Sequence, residues 1–416
     1  MTRLDRMVVE VGPTSFDKLG DLPASFRIAA MIMARLKYGR LDFTFPDGRT
    51  LRFKGSEPGP EGEVIVHDPT FASAVLAKGD IGFAEAFMDG KFSTPDLAEV
   101  LRYFTINFDS AGKLAVGGAI AQFFHSIRHF FRGNSKKGSK RNILAHYDLG
   151  NDFYAKWLDA TMTYSSALYA DPAAKPLEDL KAAQLTKYRA IANDLNLKPG
   201  MRVLEIGSGW GGFAEVAANE FGAEVVSVTI SDAQYAYAKK RIADAGLAGK
   251  VDIQLRDYRD ITGQFDAIVS IEMFEAVGEK YWPVYFGKLA EVLKPGGKAL
   301  LQIITIDERF FNDYRNRPDF IQHYIFPGGM LISPERIKAQ GEAAGLTYGC
   351  PRTFGVSYAR TLAEWAKRFE LAWDDIRSPT FDERFRRLWL YYLAYCEAGF
   401  DTHRIDVGHF ELTKAG

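Results

Sequence analysis

Short apolar runs alternate along this chain with stretches whose apolar residues recur at helical spacing, and the alternation is most regular from Arg202 to Thr305. Arg202–Ile206, Glu224–Thr229, Val251–Leu255, Ala267–Ile271 and Lys298–Thr305 read as buried strands. Phe213–Phe221, Asp232–Ala245 and Tyr281–Leu293 read as the helices between them. Lys294-Pro295-Gly296-Gly297 is a turn before the last strand, and Lys181–Leu195 is a helix leading into Lys198-Pro199-Gly200. Strands separated by helices predict an α/β fold with a doubly wound, Rossmann-like parallel sheet.

The pattern on either side is different. Residues 1–22 read as a loose tail, and residues 23–106 predict a small α+β unit. Ala24–Leu36 is a helix, and Leu41–Phe45 and Thr50–Phe53 form a hairpin around Pro46-Asp47-Gly48. Glu63–His67 is a third strand, followed by amphipathic helices at Pro69–Lys78, Gly82–Asp89 and Asp96–Phe104. This small domain, residues 1–106, carries no catalytic constellation and suits a lipid-handling, oligomerising or purely scaffolding role. After Ile306 the chain reads as helical and aromatic, with Phe310–Phe326 and Glu364–Tyr395 placed to cover an apolar pocket. Residues 142–416 are therefore expected to form one catalytic domain.

The first strand of the regular region runs into glycines at Gly207, Gly209 and Gly211, in the stretch VLEIGSGWGG. A strand, a glycine turn and a helix N-terminus make a cradle for a ligand lying against backbone. Ligands of such sheets bind beyond the C-terminal strand ends. The other ends offer Thr229, Asp257, Glu275 and Gln302. Glu205 makes the loop Glu-x-Gly-x-Gly, which resembles motif I of the S-adenosylmethionine (SAM) methyltransferases. On the loop alone, a nucleotide-binding dehydrogenase is the next reading.

Composition narrows this only a little. With 416 residues, two or three domains are expected, and a net charge of −1 leaves any charged partner surface local. Cys350 and Cys396 have neither metal-ligand nor redox spacing, so no metal site is expected. No run reaches the roughly 18 apolar residues of a membrane span, and the N-terminus lacks a signal-peptide pattern. A cytoplasmic protein, with peripheral contact at the inner face of the membrane, is expected. Ala111–Tyr147 contains no acidic residue, and its bases are interleaved with Phe123, Phe124, Phe130 and Phe131. The segment 107–141 is a linker by composition, and its bases and Phe side chains also suit an anionic lipid surface. No nucleic-acid motif accompanies it, so nucleic acid is not an expected partner.

Several separated motifs resemble one family. HYDLGNDFYAKWLDATMTYSS, VLEIGSGWGG, VTISDAQYAYAKKR, SIEMFEAVGEKYWPVYF, FIQHYIFPGGMLIS and SYARTLAEW are similar to the cyclopropane-fatty-acyl-phospholipid synthases and their mycolic-acid relatives. The resemblance implies a class I SAM-dependent methyltransferase fold with a helical lipid-pocket cover. It implies that a cis double bond in an unsaturated phospholipid chain takes a methyl from SAM, and that a base then removes a proton as a cyclopropane ring closes. Tyr164, Ser165, Glu205, Gly207 and Gly209 are implied SAM contacts. Thr229, Ile230 and Gln234 are implied to hold the adenosine, with Asp257 and Tyr258 near adenine. In the family a bound bicarbonate accepts the proton, and here Glu275, Tyr358 and Ile304 match its expected partners. The family's Cys and His at that site are Ser166 and Gln302 here. Either residue still offers hydrogen bonds to a carbonate, but neither carries a charge. The departure leaves open a second product, a methyl-branched or methylene chain without a ring, and it leaves Glu275 itself as a candidate base. A SAM methyltransferase for a small polar acceptor is the competing class. A homodimer is compatible with the resemblance. His146 is expected to make structural hydrogen bonds, Cys396 to pack, and His323 to shape the site entrance.

Overall fold

The computed structural model describes residues 7–14, 19–114 and 149–416. From residue 115 to residue 148 the basic Phe-rich stretch, with His146, lies outside the described residues. Two compact units emerge, one holding the N-terminal residues together with Arg377–Thr402, the other holding the chain up to Ile376 and His403–Gly416.

The N-terminal unit is built on a five-stranded sheet of order β1-β3-β2-β4-β5. Its strands are β1 (Met7–Glu10), β2 (Tyr38–Thr44), β3 (Arg49–Lys54), β4 (Glu57–Val66) and β5 (Phe92–Ser93). β2 and β3 pair antiparallel as the hairpin pattern predicts. Its turn is held by the Asp47 carboxylate, which accepts from Arg49 N at 3.0 Å. The described part of the tail expected to be loose is built into the unit: β1 pairs parallel with β3, and Val11, Leu19 and Leu22 are buried. Too few residues alternate there to show a strand period. Edge-to-face rings of Phe26, Phe43 and Phe53 fill the core under the sheet.

The helix Glu383–Asp401 belongs to this unit, which corrects the expected division at residue 142. Its Tyr391 ring lies 6.0 Å from Phe87, and Glu397 and Asp401 accept from Arg102 Nη1 at 3.0 and 2.7 Å. The helix Glu383–Asp401 thus contributes its Tyr391 ring and its acidic end to the N-terminal unit.

The catalytic unit contains a seven-stranded sheet of order β11-β12-β10-β9-β6-β7-β8. Its strands are β6 (Arg202–Ile206), β7 (Glu224–Thr229), β8 (Val251–Leu255), β9 (Phe265–Ile271), β10 (Leu293–Ile306), β11 (Leu346–Thr353) and β12 (Ile405–Lys414). β6 through β10 run parallel, whereas β12 is antiparallel to β10 and to β11. β11 and β12 sit in a region read from sequence as helical, although IDVGHFELTK does alternate with the period of a strand. Both faces of the sheet are covered. Val203 faces one apolar cluster with Phe213 and Val225, while Leu204 faces another with Phe265 and Trp282. That is why the strand reads as a continuous apolar run. Strand order reverses direction between β6 and β9, so a crevice opens there beyond the C-terminal strand ends. No helix among the described residues is long and apolar enough to cross a membrane.

Candidate active site

The crevice begins at the glycine turn after β6. Gly207 has φ 97°, in the region that L side chains rarely adopt, and its N–H bonds Val228 O at 2.9 Å. A Cβ there would lie 3.0 Å from Met273 Cβ. Gly209, at φ 49°, has no atom within 4 Å of where a Cβ would sit, so its surface is open. Glu205 is buried, and burial pushes its carboxyl up to about 8. Ser227 Oγ lies 2.5 Å from Glu205 Oε2 and 2.7 Å from Ser208 Oγ. Ser227 donates to Glu205 and can accept from the Ser208 hydroxyl in turn, which completes the line from strand to loop.

The next strand end follows. Thr229 Oγ1 donates to Gln234 Oε1 at 2.9 Å, and Ser231 caps the helix Asp232–Asp244. Ile230 is 58% exposed, an apolar side chain left at the strand end. Asp257 is held by Arg259 through both carboxylate oxygens, at 2.9 and 2.6 Å, which keeps its pKa below the ordinary value. Tyr258 stands half-buried with its ring 5.3 Å from Tyr285. These are the residues expected around adenosine, and they lie along one rim from β6 to β8.

A line of aromatic rings leads from the cradle inward. Trp210 packs 5.1 Å from Tyr154, Tyr154 lies 5.3 Å from Tyr164, and Tyr164 lies 5.3 Å from Trp365. Trp365 is 6.2 Å from Tyr358. The short helix Asn151–Ala155 is pinned to the glycine turn, because Trp210 Nε1 donates to Asn151 Oδ1 at 2.8 Å. Tyr358 and Trp365 both come from the helix Gly355–Leu371, which supplies the aromatic cover expected of the C-terminal part.

At the end of that line lie two carboxyl groups, Glu272 and Glu275, the first of which sequence reasoning left without a role. Glu272 follows β9 directly, with φ 49°. Its Oε1 accepts from Ser166 N at 2.8 Å and from Gln302 Nε2 at 2.7 Å. Its Oε2 accepts from Tyr358 Oη at 2.6 Å. Burial raises the Glu272 pKa, and these three donors together with the charge of Lys187 oppose the rise. Burial likewise lowers the Lys187 pKa, and Glu272 opposes that in turn. Lys187 Nζ also donates to Ser165 Oγ at 2.7 Å. Glu275 accepts from Ile304 N at 2.7 Å through Oε1, while its Oε2 is buried and makes no hydrogen bond among the described residues. Burial, then the nearby Glu272 charge, push Glu275 up to about 8. Both glutamates are half-buried and lie just past the C-terminal end of β9, where ligands of such sheets bind in a recess.

Gln302 is braced from behind. Its Oε1 lies 3.1 Å from His409 Nε2, directly across the β10–β12 ladder. His409 Nδ1 lies 3.5 Å from Asp194, which accepts from Arg352 at 2.7 Å. The structure thus brings Ser166, Gln302, Ile304, Glu275 and Tyr358 together as expected, and adds Glu272, Lys187 and His409. A rule already in use would have found Glu272, because it sits at a C-terminal strand end. Lys187 and His409 carry no such signal. His323 lies on Ile321–Ile325 with its ring 4.6 Å from Tyr324. Cys396 is half-buried on the N-terminal unit's helix Glu383–Asp401.

Residues 134–410 match the family model described as mycolic acid cyclopropane synthetase. The chain belongs to that family. It is 38% identical over 358 residues to tuberculostearic acid methyltransferase UfaA1 of Mycobacterium tuberculosis, covering 85% of this chain and 83% of that one. It is 37% identical over 364 residues to the cyclopropane-fatty-acyl-phospholipid synthase of Escherichia coli K12, covering 86% and 88%. Among solved structures, the cyclopropane synthase MmaA2 of M. tuberculosis superposes with a TM-score of 0.61 at 30% identity, over 68% of this chain and all of that one. Cyclopropane synthase CmaA1, solved with SAH and CTAB, gives 0.58 at 29%, over 66% of this chain and 97% of that one. The family membership makes this chain a SAM-dependent methyltransferase with the corresponding Rossmann-like fold.

Bicarbonate, expected from the resemblance, does not fit this site. Three of its expected donors point at Glu272, and Ile304 N points at Glu275. Ser166 Oγ donates to Ala167 O at 2.9 Å. The donors expected to hold a second anion are already taken, and that anion would face two carboxyl groups.

Glu275 should be visible in stability as well as in turnover. Its proton-linked stability is full below the ordinary value of 4.5 and is lost as pH rises toward about 8, because the folded state holds the proton longer. Glu275→Gln is therefore expected to match the wild type in urea unfolding near pH 4.5 and to exceed it at pH 8. The expected gain is roughly 1–2 kcal/mol, less than the full shift implies because the recess is partly open.

Proposed function

We propose that this chain transfers the methyl group of SAM to the cis double bond of unsaturated phospholipid acyl chains, ending in a cyclopropane ring. One observation carries the reading. A pair of carboxyl groups lies at the end of an aromatic wall that starts at the glycine cradle. Such a recess suits an apolar chain that becomes briefly cationic. Aromatic faces stabilise a cation by about 1–2 kcal/mol each when water is excluded, and a carboxylate can take its proton. The names of the two relatives above point to the same substrate class.

In this reading SAM supplies a methyl on positively charged sulfur. Gly207 and Gly209 allow its close approach to backbone, with Tyr164 and Ser165 beside it. Thr229, Ile230 and Gln234 hold the adenosine, and Asp257 and Tyr258 stand at the adenine end. Glu205 acts through Ser227 and Ser208 to fix the loop. Tyr358, Trp365 and Tyr164 exclude water from the reacting carbons. The protein as it stands predicts that extracted lipids from an expressing host shift from monounsaturated chains to chains one CH2 unit heavier. Methylation of a small polar acceptor, with acyl chains unchanged, would reject the lipid reading.

A second outcome of the same transfer, a methyl-branched or methylene chain, is favoured because the donors expected to hold bicarbonate are already engaged. Proton NMR of the purified ester separates the two through upfield ring protons. We also propose that the basic stretch brings the enzyme to anionic membrane surface. Neutralising Arg128, Arg132, Lys136, Lys137, Lys140 and Arg141 should weaken cosedimentation with anionic vesicles, and unchanged cosedimentation would reject that role.

A further inference from the structure

We infer that Glu272 is the proton acceptor of the reaction, a carboxylate built into the chain where the family's bound bicarbonate would lie. The inference rests on the reaction proposed above. Its first support is geometric. Ser166 N–H and the Gln302 amide N–H2 can only donate, and both meet one oxygen of Glu272 at 2.8 and 2.7 Å. Tyr358 Oη meets the other at 2.6 Å. Three donors and the Lys187 charge favour the carboxylate form of Glu272 against the burial that raises its pKa, and a carboxylate can accept a proton. Glu275 differs. It receives one backbone donor, and its other oxygen has no hydrogen bond among the described residues.

The second support is the backbone. Glu272 has φ 49°, a conformation disfavoured for any residue with a Cβ. It lies at the end of β9, beside the strand-order reversal where the cradle opens. Glu272 is half-buried, and three hydrogen-bond donors, not apolar packing, hold its side chain. The third support is the pair of residues that differ from the family pattern. Gln302 bonds Glu272 through its amide nitrogen, and its amide oxygen faces His409. The amide is thereby oriented with its donor toward the carboxylate. Ser166 uses its backbone N–H on Glu272 and turns its hydroxyl to Ala167 O. Both departures serve a carboxylate that the chain itself supplies.

The step balances without another reactant. The alkene's electron pair forms the new C–C bond, and the C–S pair stays on sulfur, leaving a carbocation on the acyl chain. Glu272 takes one proton from carbon. If that proton comes from the new methyl, the freed C–H pair closes the ring. If it comes from a neighbouring chain carbon, the pair forms a double bond. A proton next to a carbocation is strongly acidic, so a weak carboxylate base suffices.

The test uses the whole chain, SAM and vesicles containing oleoyl phosphatidylglycerol, with bicarbonate stripped or added. Wild-type turnover is expected to be indifferent to bicarbonate. Glu272→Gln should lower turnover at least about 100-fold while SAM binding by calorimetry persists. Glu272→Gly removes the carboxylate and relaxes the left-handed backbone, and added bicarbonate should restore part of its turnover. In 13C NMR, labelled bicarbonate should broaden with Glu272→Gly and stay sharp with the wild type. The inference is overturned if Glu272→Gln keeps near-normal turnover, or if Glu272→Gly binds SAM yet is not rescued. It is also overturned if the wild type needs or binds bicarbonate. The NMR arm reads bicarbonate binding without turnover, so failure of the lipid reading would be seen separately, as a wild type that methylates no acyl chain.

Discussion

Gly207→Val is expected to lower SAM affinity by at least about 100-fold, from two costs that add at one position. At φ 97° a β-branched residue is strained, on the order of 1–2 kcal/mol or more. Its Cβ would also sit 3.0 Å from Met273 Cβ and 3.2 Å from Met273 Cγ. Met273 must then move, and it is bonded to Glu272, so the damage spreads from the cradle to the carboxylate. Titration calorimetry with SAH reads the loss directly. Gly209→Ala is the cleaner companion. No protein atom lies within 4 Å of its new Cβ, so stability should change little, and any loss of affinity reports a methyl group standing in the cofactor's space. A Gly209→Ala chain that binds SAH as the wild type does would remove the cradle from the cofactor site.

Tyr358→Phe should lower kcat roughly 10- to 100-fold with SAM affinity kept. The phenol donates to Glu272 Oε2 at 2.6 Å, a hydrogen bond to an ionised group in a recess. Losing it leaves a carboxylate oxygen underserved, a change worth about 1.5–3 kcal/mol. The donor favours the ionised form, so its loss moves the Glu272 pKa further up, in the direction burial already sets. Proton acceptance then weakens at neutral pH, and raising the pH should recover part of the lost kcat. The ring of Tyr358 remains against Trp365, so the aromatic wall survives. A variant with unchanged kcat would detach Tyr358 from the chemistry.

Most of the sheet was legible in the sequence, for a physical reason. β6, β7 and β8 are buried on both faces or bounded by sharp turns, so their apolar runs begin and end where the strands do. β12 was missed although it alternates, because the neighbouring aromatic helices dominated the reading of that region. The membership of Glu383–Asp401 in the N-terminal unit was not legible at all. An apolar helix face announces that it is buried, and the partner it is buried against depends on tertiary placement. The same limit applied at the site. Motifs brought Ser166, Gln302, Ile304, Glu275 and Tyr358 to one place, and the structure keeps them together. They could not show that the donors were already taken. Glu272 stood inside a quoted motif, and only its position at the end of β9 with three donors around it makes it stand out. Gln302 first read as a loss of the histidine. It is the residue through which a different buried histidine, His409, reaches the carboxylate.

Methyl transfer from SAM to the double bond of an acyl chain, with ring closure, is tested by incubating the purified protein with SAM carrying a fully deuterated methyl and with vesicles of oleoyl phosphatidylglycerol. Mass spectrometry and NMR then follow the label in the released fatty acids. Label is expected in the acyl chain, two deuterons per chain, in a cyclopropane ring at the former double bond. Three deuterons on a methyl branch would contradict ring closure, and acyl chains that gain no label would contradict the transfer itself.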